Sequence, residues 1–262
     1  MHLNIYGADM RLSFRDEVRC TEHIFESHSH RSYELIAVYE GDIDIVIGSG
    51  RYALSAGQIA IIPPLVYHSI STTGNVPYKR ITVLFEESVI PPVIRGELDA
   101  RILSSPVSAA AELGAPMSSL ERLFPRAVPE RDMPLILAFI TEALYAFTYM
   151  GSTAAESREH PTVRAICEYV DTHVSEKITL DGIAAELFMS KSSVCHIFRR
   201  EMNISPKQYV LQKKLAHAAG LIAAGTPATE AASAVGYGNY ANFYKAYKNI
   251  FGASPTQKGR SH

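Results

Sequence analysis

The sequence predicts a two-domain α+β protein, with a small N-terminal β-barrel followed by a helical element, and an all-α C-terminal domain that contains two helix-turn-helix motifs. Three observations predict this architecture. Short β-rich runs separated by turn residues occupy the first third of the chain, a long apolar helix pattern follows, and the last third repeats one helical pattern twice. The predicted limits are 1–151 for the first domain, 152–160 for a linker and 161–262 for the second domain.

Composition and charge are those of a globular protein with one basic end. Its 262 residues suffice for two domains, and 47% hydrophobic with 20% charged residues excludes a disordered or fibrous chain. Residues 160–262 contain 12 Lys or Arg and 7 Asp or Glu, a balance of +5, whereas residues 1–159 contain 13 and 20, a balance of −7. This asymmetry indicates that only the C-terminal part meets a polyanion.

Several features predict a cytoplasmic protein that does not associate with a membrane. Cys20, Cys167 and Cys195 are not at metal or redox spacing, and their odd number disfavours a disulfide framework. The N-terminus lacks a basic start followed by an apolar run, so we expect no secretory signal peptide. The most apolar segment, 134–151, carries Glu142 and is shorter than the roughly 20 residues of a membrane span.

The β-rich part extends from His23 to Phe85, and we expect no strand beyond Phe85. Within 42–47 the isoleucines alternate with other residues, which is the period of a strand with one face turned inward. Even spacing of short strands favours a barrel or sandwich over alternating strands and helices. The clearest predicted strands are Glu34–Tyr39, Ile43–Ile47, Arg51–Leu54, Ile59–Ile62 and Arg80–Phe85.

Four residues of this part form a possible ligand set. His28, His30 and Glu34 share one parity along the chain, so all three can point into the barrel interior, and His68 can approach from another strand. Imidazole and carboxylate ligands suit Zn, Fe(II), Mn or Ni. Alternatively, the same groups line a pocket without a required cofactor, hydrogen-bonded to one another or to an organic effector. Two flanking residues can contact such an effector or simply pack the barrel: Tyr33 and Tyr67.

The spacing around these residues resembles the two signature motifs of the cupin family. The first motif corresponds to His28-Ser29-His30, Glu34 and Gly41, and the second to Gly57, Pro63 and His68. Cupins are small β-barrels that often hold a divalent metal on three His and one Glu, so the resemblance implies a cupin-like barrel with a pocket. The chain departs from the motifs at Glu22, Leu65 and Thr72, where the family has Gly, Gly and Asn at turn positions.

The middle of the chain is predicted to be helical. Short helical patterns occur at 108–113 and 118–124, and Met133–Tyr149 has the pattern of one helix. That helix is apolar over so much of its circumference that it needs cover on more than one side. It either packs only against its own barrel or also forms a dimer contact with a second copy of the chain.

The C-terminal domain begins with a predicted helix, Pro161–Val174, and then repeats a helix, a turn and a second helix. The first copy comprises Leu180–Leu187, the turn Phe188-Met189, the N-cap Ser190 and Ser192–Glu201. The second comprises 229–235, the turn 236–239 and Tyr240–Ile250, and the helix Ser205–Ala224 connects the copies. Ala184 corresponds to Ala232 at an offset of 48. Two such units would lie about one DNA turn apart, roughly 34 Å.

Helical spacing separates core from surface in the second helix of each copy, which we call the reading helices. Apolar residues recur on one face of each. Ser, His, Tyr and Asn on the other face can hydrogen-bond to base edges, and Arg and Lys suit phosphates. The candidate DNA contacts are Ser192, Ser193, Cys195, His196, Arg199 and Arg200 in the first copy and Tyr240, Ala241, Asn242, Tyr244, Lys245 and Lys248 in the second.

A second resemblance covers nearly all of 179–255. Its positions are Ile183-Ala184, Ser190, Phe198, Tyr209, Lys214-Leu215, Ala218, Leu221-Ile222, Gly236-Tyr237, Phe243, Tyr247-Lys248, Gly252 and Ser254-Pro255. Their spacing is similar to that of the DNA-binding domain of the AraC/XylS family of bacterial transcription regulators. The family usually has Gly at Asn203, Arg at Lys214 and an aromatic-Arg pair where this chain has 258–260. Asn tolerates the left-handed backbone that a glycine would adopt at the first of these positions.

This resemblance implies a transcription regulator rather than an enzyme. It places base contacts on Ser192, Cys195 and His196 and on Tyr240, Ala241, Tyr244 and Lys245. The implied partners are promoter or operator DNA, a small-molecule effector, a second copy of the chain and RNA polymerase. Two alternatives remain open: a metal-dependent cupin enzyme with an accessory DNA-binding domain, and a DNA-binding dimer that responds to no effector.

Overall fold

The computed structural model describes residues 2–5, 8–17, 23–24, 28–72, 77–109, 129–151 and 158–256. Within these ranges the chain folds into an N-terminal part built on two antiparallel sheets and a C-terminal part built from helices. The predicted domain limits and the linker remain predictions, although a helix does begin at Pro161.

Among the described residues, ten strands form the two sheets of the barrel. They are β1 (His2–Ile5), β2 (Ala8–Glu17), β3 (His23–Ile24), β4 (Tyr33–Glu40), β5 (Asp42–Ile47), β6 (Gly50–Ser55), β7 (Gln58–Ile62), β8 (His68–Thr72), β9 (Tyr78–Phe85) and β10 (Val107–Ala109). The six-stranded sheet has the order β1-β2-β9-β4-β7-β10, and the four-stranded sheet has the order β3-β8-β5-β6. All five predicted strands are present. The expectation that strands end at Phe85 is wrong, because β10 pairs with β7 through Ser108 and Ile59.

Strand β4 is buried on both sides, and this divides the barrel core in two. Ile36 and Val38 face the four-stranded sheet and pack in the barrel interior. Leu35 and Ala37 face the opposite way and pack against helices on the outer side of the six-stranded sheet. Because side chains alternate along a strand, Glu34 lies on the interior side and Tyr33 on the helix side.

In the described ranges, two helices cover that outer side after a short 3-10 turn at Glu87–Val89: α1 (Arg95–Ser104) and α2 (Pro129–Tyr145). A π-helical turn, Ala146–Met150, continues α2. The long helix expected at Met133–Tyr149 is thus present. The helical patterns expected at 108–113 and 118–124 lie mostly outside the described residues, and where 108–109 is described it is strand β10.

The apolar helix is longer than the sequence suggested, but it packs against the barrel. Arg131–Met150 spans 20 residues and is long and apolar enough to cross a membrane, so the argument from short length was wrong. Its buried side chains belong to the cluster that includes Leu35 and Val83 of the six-stranded sheet. These buried residues are Ile136, Phe139, Ile140, Ala143, Leu144 and Phe147.

Across residues 158–256, six helices form the C-terminal part, each within two residues of its predicted ends. They are α3 (Pro161–Thr172), α4 (Leu180–Glu186), α5 (Lys191–Met202), α6 (Pro206–Ala223), α7 (Ala228–Ala234) and α8 (Tyr240–Phe251). Side-chain caps start five of them, because an acceptor atom there takes a hydrogen bond from an amide that the first turn leaves free. The caps are His160 on α3 through its ring nitrogen, and Thr179, Ser190, Ser205 and Asn239 through oxygen on α4, α5, α6 and α8.

The connecting helix α6 holds the two helix-turn-helix units together. Tyr209, near its start, packs in the core of the first unit, and Leu215 and Ala218, farther along, pack in the core of the second. Between them, the Lys214 ammonium donates to the carbonyl oxygen of Glu176 beside the first unit and to that of Val235 in the second, the latter at 2.8 Å. The two reading helices, α5 and α8, are therefore fixed on one frame.

Candidate DNA-binding surface and barrel cluster

The first reading helix, α5, presents the predicted contacts on its outer face. Val194, Phe198 and Met202 are buried in the core of the first unit and Ile197 packs against it, so the other residues of the helix turn outward. Ser190 fixes the start of the helix by accepting a hydrogen bond from the Ser193 amide at 3.1 Å. A shallow depression runs along the exposed face and is lined by Ser192, Cys195, His196, Arg199 and Arg200.

The second reading helix, α8, has the same arrangement. Phe243 and Tyr247 are fully buried, and Asn239 caps the helix by accepting a hydrogen bond from the Asn242 amide at 3.2 Å. All six predicted contacts are exposed or half-buried: Tyr240, Ala241, Asn242, Tyr244, Lys245 and Lys248. Tyr240 and Tyr244 lie side by side, with ring centroids 6.4 Å apart.

The basic side chains on these faces differ in their partners. Arg200 forms an ion pair with Glu201 at 2.7 Å. Arg199, Lys245 and Lys248 form no ion pair with any residue that the structure describes. A DNA phosphate need not displace an existing partner from these three side chains. They are therefore the better candidates for contacts with the DNA backbone.

In the barrel, the four predicted ligand residues converge. The candidate ligand atoms of His28, His30, Glu34 and His68 all lie within 4.8 Å of one another. Glu34 is the second residue of β4 and His68 the first of β8, and both are buried, whereas His28 is exposed. His28 and His68 pair through their backbones, with N···O distances of 3.1 and 3.0 Å. The cluster therefore has a buried floor and a side that opens to solvent.

Hydrogen bonds to the backbone orient two of the imidazoles. His30 Nδ1 lies 2.9 Å from the carbonyl oxygen of Ser32, and His68 Nδ1 lies 3.0 Å from that of Val66. A carbonyl oxygen only accepts, so each Nδ1 donates, and a neutral ring then keeps a lone pair on Nε2. Both Nε2 atoms face Glu34 Oε2, at 2.8 Å from His30 and 2.9 Å from His68.

This donor set fits a divalent transition metal. Two Nε2 lone pairs and a carboxylate oxygen converge, and backbone carbonyls hold the far nitrogens as they do behind many metal-bound histidines. His68 Nε2 is buried and, although 2.9 Å from Glu34, is not aligned for a hydrogen bond, which leaves it available to a cation. Protonation of both rings would satisfy the same contacts without a metal. Burial alone would raise the pKa of Glu34, but contacts with His30 and His68 hold that pKa well below its usual range.

The two flanking tyrosines do not join the cluster, which corrects their assignment to the effector pocket. Tyr33 stacks on Phe85 and its hydroxyl donates to Asp99 at 3.2 Å, on the helix side of the sheet. Tyr67 points toward the C-terminal helices, where its hydroxyl donates to the carbonyl oxygen of Met202 at 2.8 Å. Each tyrosine precedes a cluster residue directly, and adjacent residues of an extended chain point to opposite sides.

One residue beside the cluster has a role that the sequence did not suggest. Leu65 has a φ of 66°, a left-handed conformation that is costly for a branched side chain. Its side chain packs against the core of the second helix-turn-helix unit. The only signal in the sequence was that leucine stands where the cupin motif has glycine.

Comparisons with known proteins agree with both halves of the chain. Residues 13–130 match the AraC-like ligand binding domain, and residues 183–261 match a helix-turn-helix domain. The chain is 26% identical to the probable transcriptional regulator LumQ of Photobacterium leiognathi, over 88% of this chain and 90% of that protein. It is 25% identical to the uncharacterized HTH-type transcriptional regulator YdiP of Escherichia coli K12, over 95% and 85%. Among solved structures, ToxT of Vibrio cholerae O395 aligns over 94% of this chain and 95% of its own, at 11% identity and a TM-score of 0.41.

Proposed function

Since the chain belongs to the AraC family of DNA-binding transcription regulators, we propose that its barrel binds a small-molecule effector at the cluster and thereby adjusts how two reading helices hold a promoter. The observation that carries this proposal is the convergence of His28, His30, Glu34 and His68 within 4.8 Å in the ligand-binding part of the chain. An effector regulates only if it binds two arrangements of the protein with different affinity.

The DNA side of the proposal assigns different tasks to the reading helices. The depression on α5 combines Ser192, Cys195 and His196, whose side chains suit base edges, with Arg199, which suits a phosphate. Helix α8 presents Lys245 and Lys248 beside its tyrosines. We assign discrimination between sequences mainly to α5 and backbone anchoring mainly to α8.

For the cluster we propose a divalent transition metal, bound by His28, His30, Glu34 and His68, as the effector or as the group to which an organic effector binds. A metal bound there would supply a positive centre for an anionic or oxygen-rich effector. Metal analysis and Zn²⁺ titration of the purified chain test this. One equivalent is expected in the unaltered chain and none in the His28→Ala/His68→Ala double variant, and equal binding by both would refute the site.

We further propose that the barrel senses and does not catalyse. The named relatives are transcription regulators, and DNA binding accounts for the exposed helices. A metal-dependent enzyme remains the competing function for the same four residues. An enzyme would be demonstrated if the metal-loaded barrel turned over a substrate and the His28→Ala/His68→Ala double variant did not.

The partners that complete this function are a second copy of the chain and RNA polymerase, in the cytoplasm. A second copy is favoured by an exposed apolar patch beside α2, which includes Val93 at 79% exposure and Tyr145 at 52%. Tyr149 lines the same groove as these two residues, and Leu135 of α2 and Met150 of the π-helical turn are exposed as well. Two copies would present four helix-turn-helix units to a paired site.

Binding to the DNA upstream of the protein's own gene tests the proposed function. A fluorescence-anisotropy titration of the full chain is expected to give an affinity that falls steeply with salt, because phosphate contacts release counterions. An unrelated duplex of equal length and base composition is the control, and about 10³-fold weaker binding is expected to it. Equal affinity for the two duplexes would contradict a sequence-specific regulator.

A further inference from the structure

A three-residue segment, Leu65–Tyr67, lies between the barrel cluster and both helix-turn-helix units. Its first and last residues contact different units. Leu65 packs against the core of the second unit, and Tyr67 is buried in the core of the first. The next residue, His68, belongs to the cluster.

Tyr67 completes the C-terminal end of the first reading helix. Its side chain is 2% exposed and packs with Val163, Phe198 and Met202. Its hydroxyl donates to the carbonyl oxygen of Met202, the last residue of α5, at 2.8 Å. The last carbonyl groups of a helix have no partner within the helix, so here the barrel supplies one. Tyr67 also meets Tyr209 of the connecting helix edge-on, with ring centroids 6.1 Å apart.

Leu65 reaches the second unit at a conformational cost. A non-glycine residue at its φ of 66° costs about 1 kcal/mol or more relative to ordinary backbone. Such strain persists only where the surroundings hold it in place, and it is frequent in functional segments. Arg31, next to the cluster residue His30, also approaches this unit. Burial raises the pKa of Tyr247, and the charge of Arg31 partly opposes that rise.

The same segment is tied to the cluster through its backbone. The Leu65 amide donates to the carbonyl oxygen of His30 at 2.7 Å, and the His68 amide donates to that of His28 at 3.0 Å. The Val66 carbonyl oxygen accepts from His68 Nδ1 at 3.0 Å. A displacement of His28, His30 or His68 is therefore carried into residues 65–67 by hydrogen bonds at both ends.

Polar contacts surround this junction on the side of strands β5 and β6. The Arg158 amide donates to the Arg51 carbonyl oxygen at 2.8 Å, and the Ser49 hydroxyl donates to the Glu159 carboxylate. The Arg51 guanidinium lies 4.0 Å from Glu201, which also pairs with Arg200 on the DNA-facing helix. The apolar contact of Tyr67 thus has a polar rim, as docked protein surfaces usually do.

We propose that residues 65–67 form a wedge that transmits the state of the cluster to the relative position of the two reading helices, with Tyr67 acting on the first and Leu65 on the second. This inference rests on the proposed function, because it names how occupancy of the barrel regulates DNA binding. Two helices that must fit successive turns of DNA are sensitive to small changes in their mutual position. A wedge that contacts both can therefore change affinity without covering either DNA-facing surface.

Hydrogen exchange of the full-length chain tests the wedge without DNA. The cluster is perturbed in two ways, by adding one equivalent of Zn²⁺ and by Glu34→Gln, which keeps the shape of the side chain but removes its charge. Each perturbation is measured in the unaltered background and in Tyr67→Phe and Leu65→Gly backgrounds. Tyr67→Phe removes only the hydroxyl, and Leu65→Gly removes the contact while relieving the left-handed strain, so both variants are expected to fold. Tyr78→Phe, which removes a hydroxyl from the barrel interior, is the matched control.

The wedge predicts that Glu34→Gln changes exchange rates in both helix-turn-helix units by about 5-fold or more, the lower range of allosteric coupling. The expected peptides cover 199–209 for the first unit and 240–250 for the second. Tyr67→Phe should remove the response of the first unit, Leu65→Gly that of the second, and Tyr78→Phe neither. In the unaltered chain, which is expected to bind Zn²⁺, adding Zn²⁺ should change the exchange rates of the same peptides.

Three outcomes would overturn the wedge. They are an unchanged exchange rate in both units after Glu34→Gln, an unchanged response in both wedge variants, and loss of the response in Tyr78→Phe. The DNA titration is run on the same samples. If the upstream DNA is not bound while the exchange response follows the wedge variants, the proposed function fails and the wedge stands. If the upstream DNA is bound specifically and no exchange response occurs, the wedge fails and DNA binding by the chain stands.

Discussion

Residues that are adjacent in the chain serve different parts of this protein. Glu34 and His68 point into the barrel, whereas Tyr33 and Tyr67, one position earlier, pack on its outside. The sequence correctly predicted that the four candidate ligand residues converge, because three of them share the parity of one strand, which is readable from spacing. The assignment of Tyr33 and Tyr67 to the pocket was wrong, because residues directly before Glu34 and His68 point to the opposite side of the extended chain.

Lys245 provides the clearest prediction for a phosphate contact. It is exposed on α8 and has no ion pair among the described residues, so Lys245→Ala should weaken binding to all DNA sequences by a similar factor. The salt dependence of log affinity should fall by about one unit. Titrations at several salt concentrations measure both effects. Lys213→Ala is the control, because Lys213 pairs with Asp171 away from the reading helices. Weakening confined to one sequence would contradict the assignment.

His196 should instead affect sequence preference. It lies in the depression on α5 beside Cys195, and an imidazole there can hydrogen-bond to a base edge. His196→Ala should cost about 1–3 kcal/mol on the preferred site and less on unrelated DNA. Selection of bound sequences from a random pool, for both proteins, shows whether one position of the site loses its preference. Equal weakening of binding to all DNA sequences would indicate that His196 contacts the DNA backbone instead of a base.

The two described cysteines should differ strongly in reactivity. Cys195 is half-exposed in the same depression, whereas Cys167 is buried and burial raises the pKa of its thiol to about 12. Thiolate is the reactive form, so iodoacetamide at pH 8 should label Cys195 and leave Cys167 unmodified in the folded chain. Peptide mass spectrometry reads the two sites separately. Bound promoter DNA should protect Cys195, and labelling that DNA does not slow would move the contact surface away from it.

Among the elements, helices were predicted better than strands. The 3.6-residue period, together with caps such as Thr179, Ser190 and Ser205, is a local signal for a helix. All six described C-terminal helices therefore have ends within two residues of the predicted ones. Strands β1, β2 and β10 lie outside the predicted β-rich part, and β3 and β8 lie inside it but were not among the five predicted strands. Strand β10 has three residues, too few to show a period, and it exists because β7 offers it a partner. Pairing of that kind depends on distant residues and leaves no local pattern.

Helix α2 carries the prediction for dimerisation. One side packs on the barrel, and the other leaves Leu135 at 60% and Tyr145 at 52% exposure, with Tyr145 in one groove with Val93. A charge placed in an apolar contact between copies is costly to bury, so Leu135→Asp/Tyr145→Asp should convert a dimer to a monomer. Light scattering after size-exclusion chromatography measures the mass. Leu103→Asp is the control, because Leu103 is 88% exposed on α1 outside this patch. A dimer that survives the double variant would place the contact elsewhere.

At the scale of the whole molecule, the contact between barrel and helices could not be predicted from the sequence. Local pattern identified both parts and the residues of the cluster, but docking depends on shapes formed only after each part has folded. The result is a shared core, in which Val46 and Tyr67 of the barrel pack with Ile166, Phe198 and Tyr209 of the first helix-turn-helix unit. The barrel and the first helix-turn-helix unit are therefore joined by direct packing of their side chains.

A shared core predicts that the barrel and the first helix-turn-helix unit unfold together. Tyr67→Ala would remove a buried aromatic side chain and its hydrogen bond to Met202, which costs about 3–5 kcal/mol where the site cannot collapse. Because this side chain lies between the two parts, its loss should uncouple them. Calorimetry should show one unfolding transition for the unaltered chain and two for Tyr67→Ala. Tyr78→Ala, which opens a cavity within the barrel alone, should lower the barrel's stability without releasing the helices from it. Two transitions already present in the unaltered chain would show that the docking is too weak to couple the domains, and the wedge would then have too little energy to act.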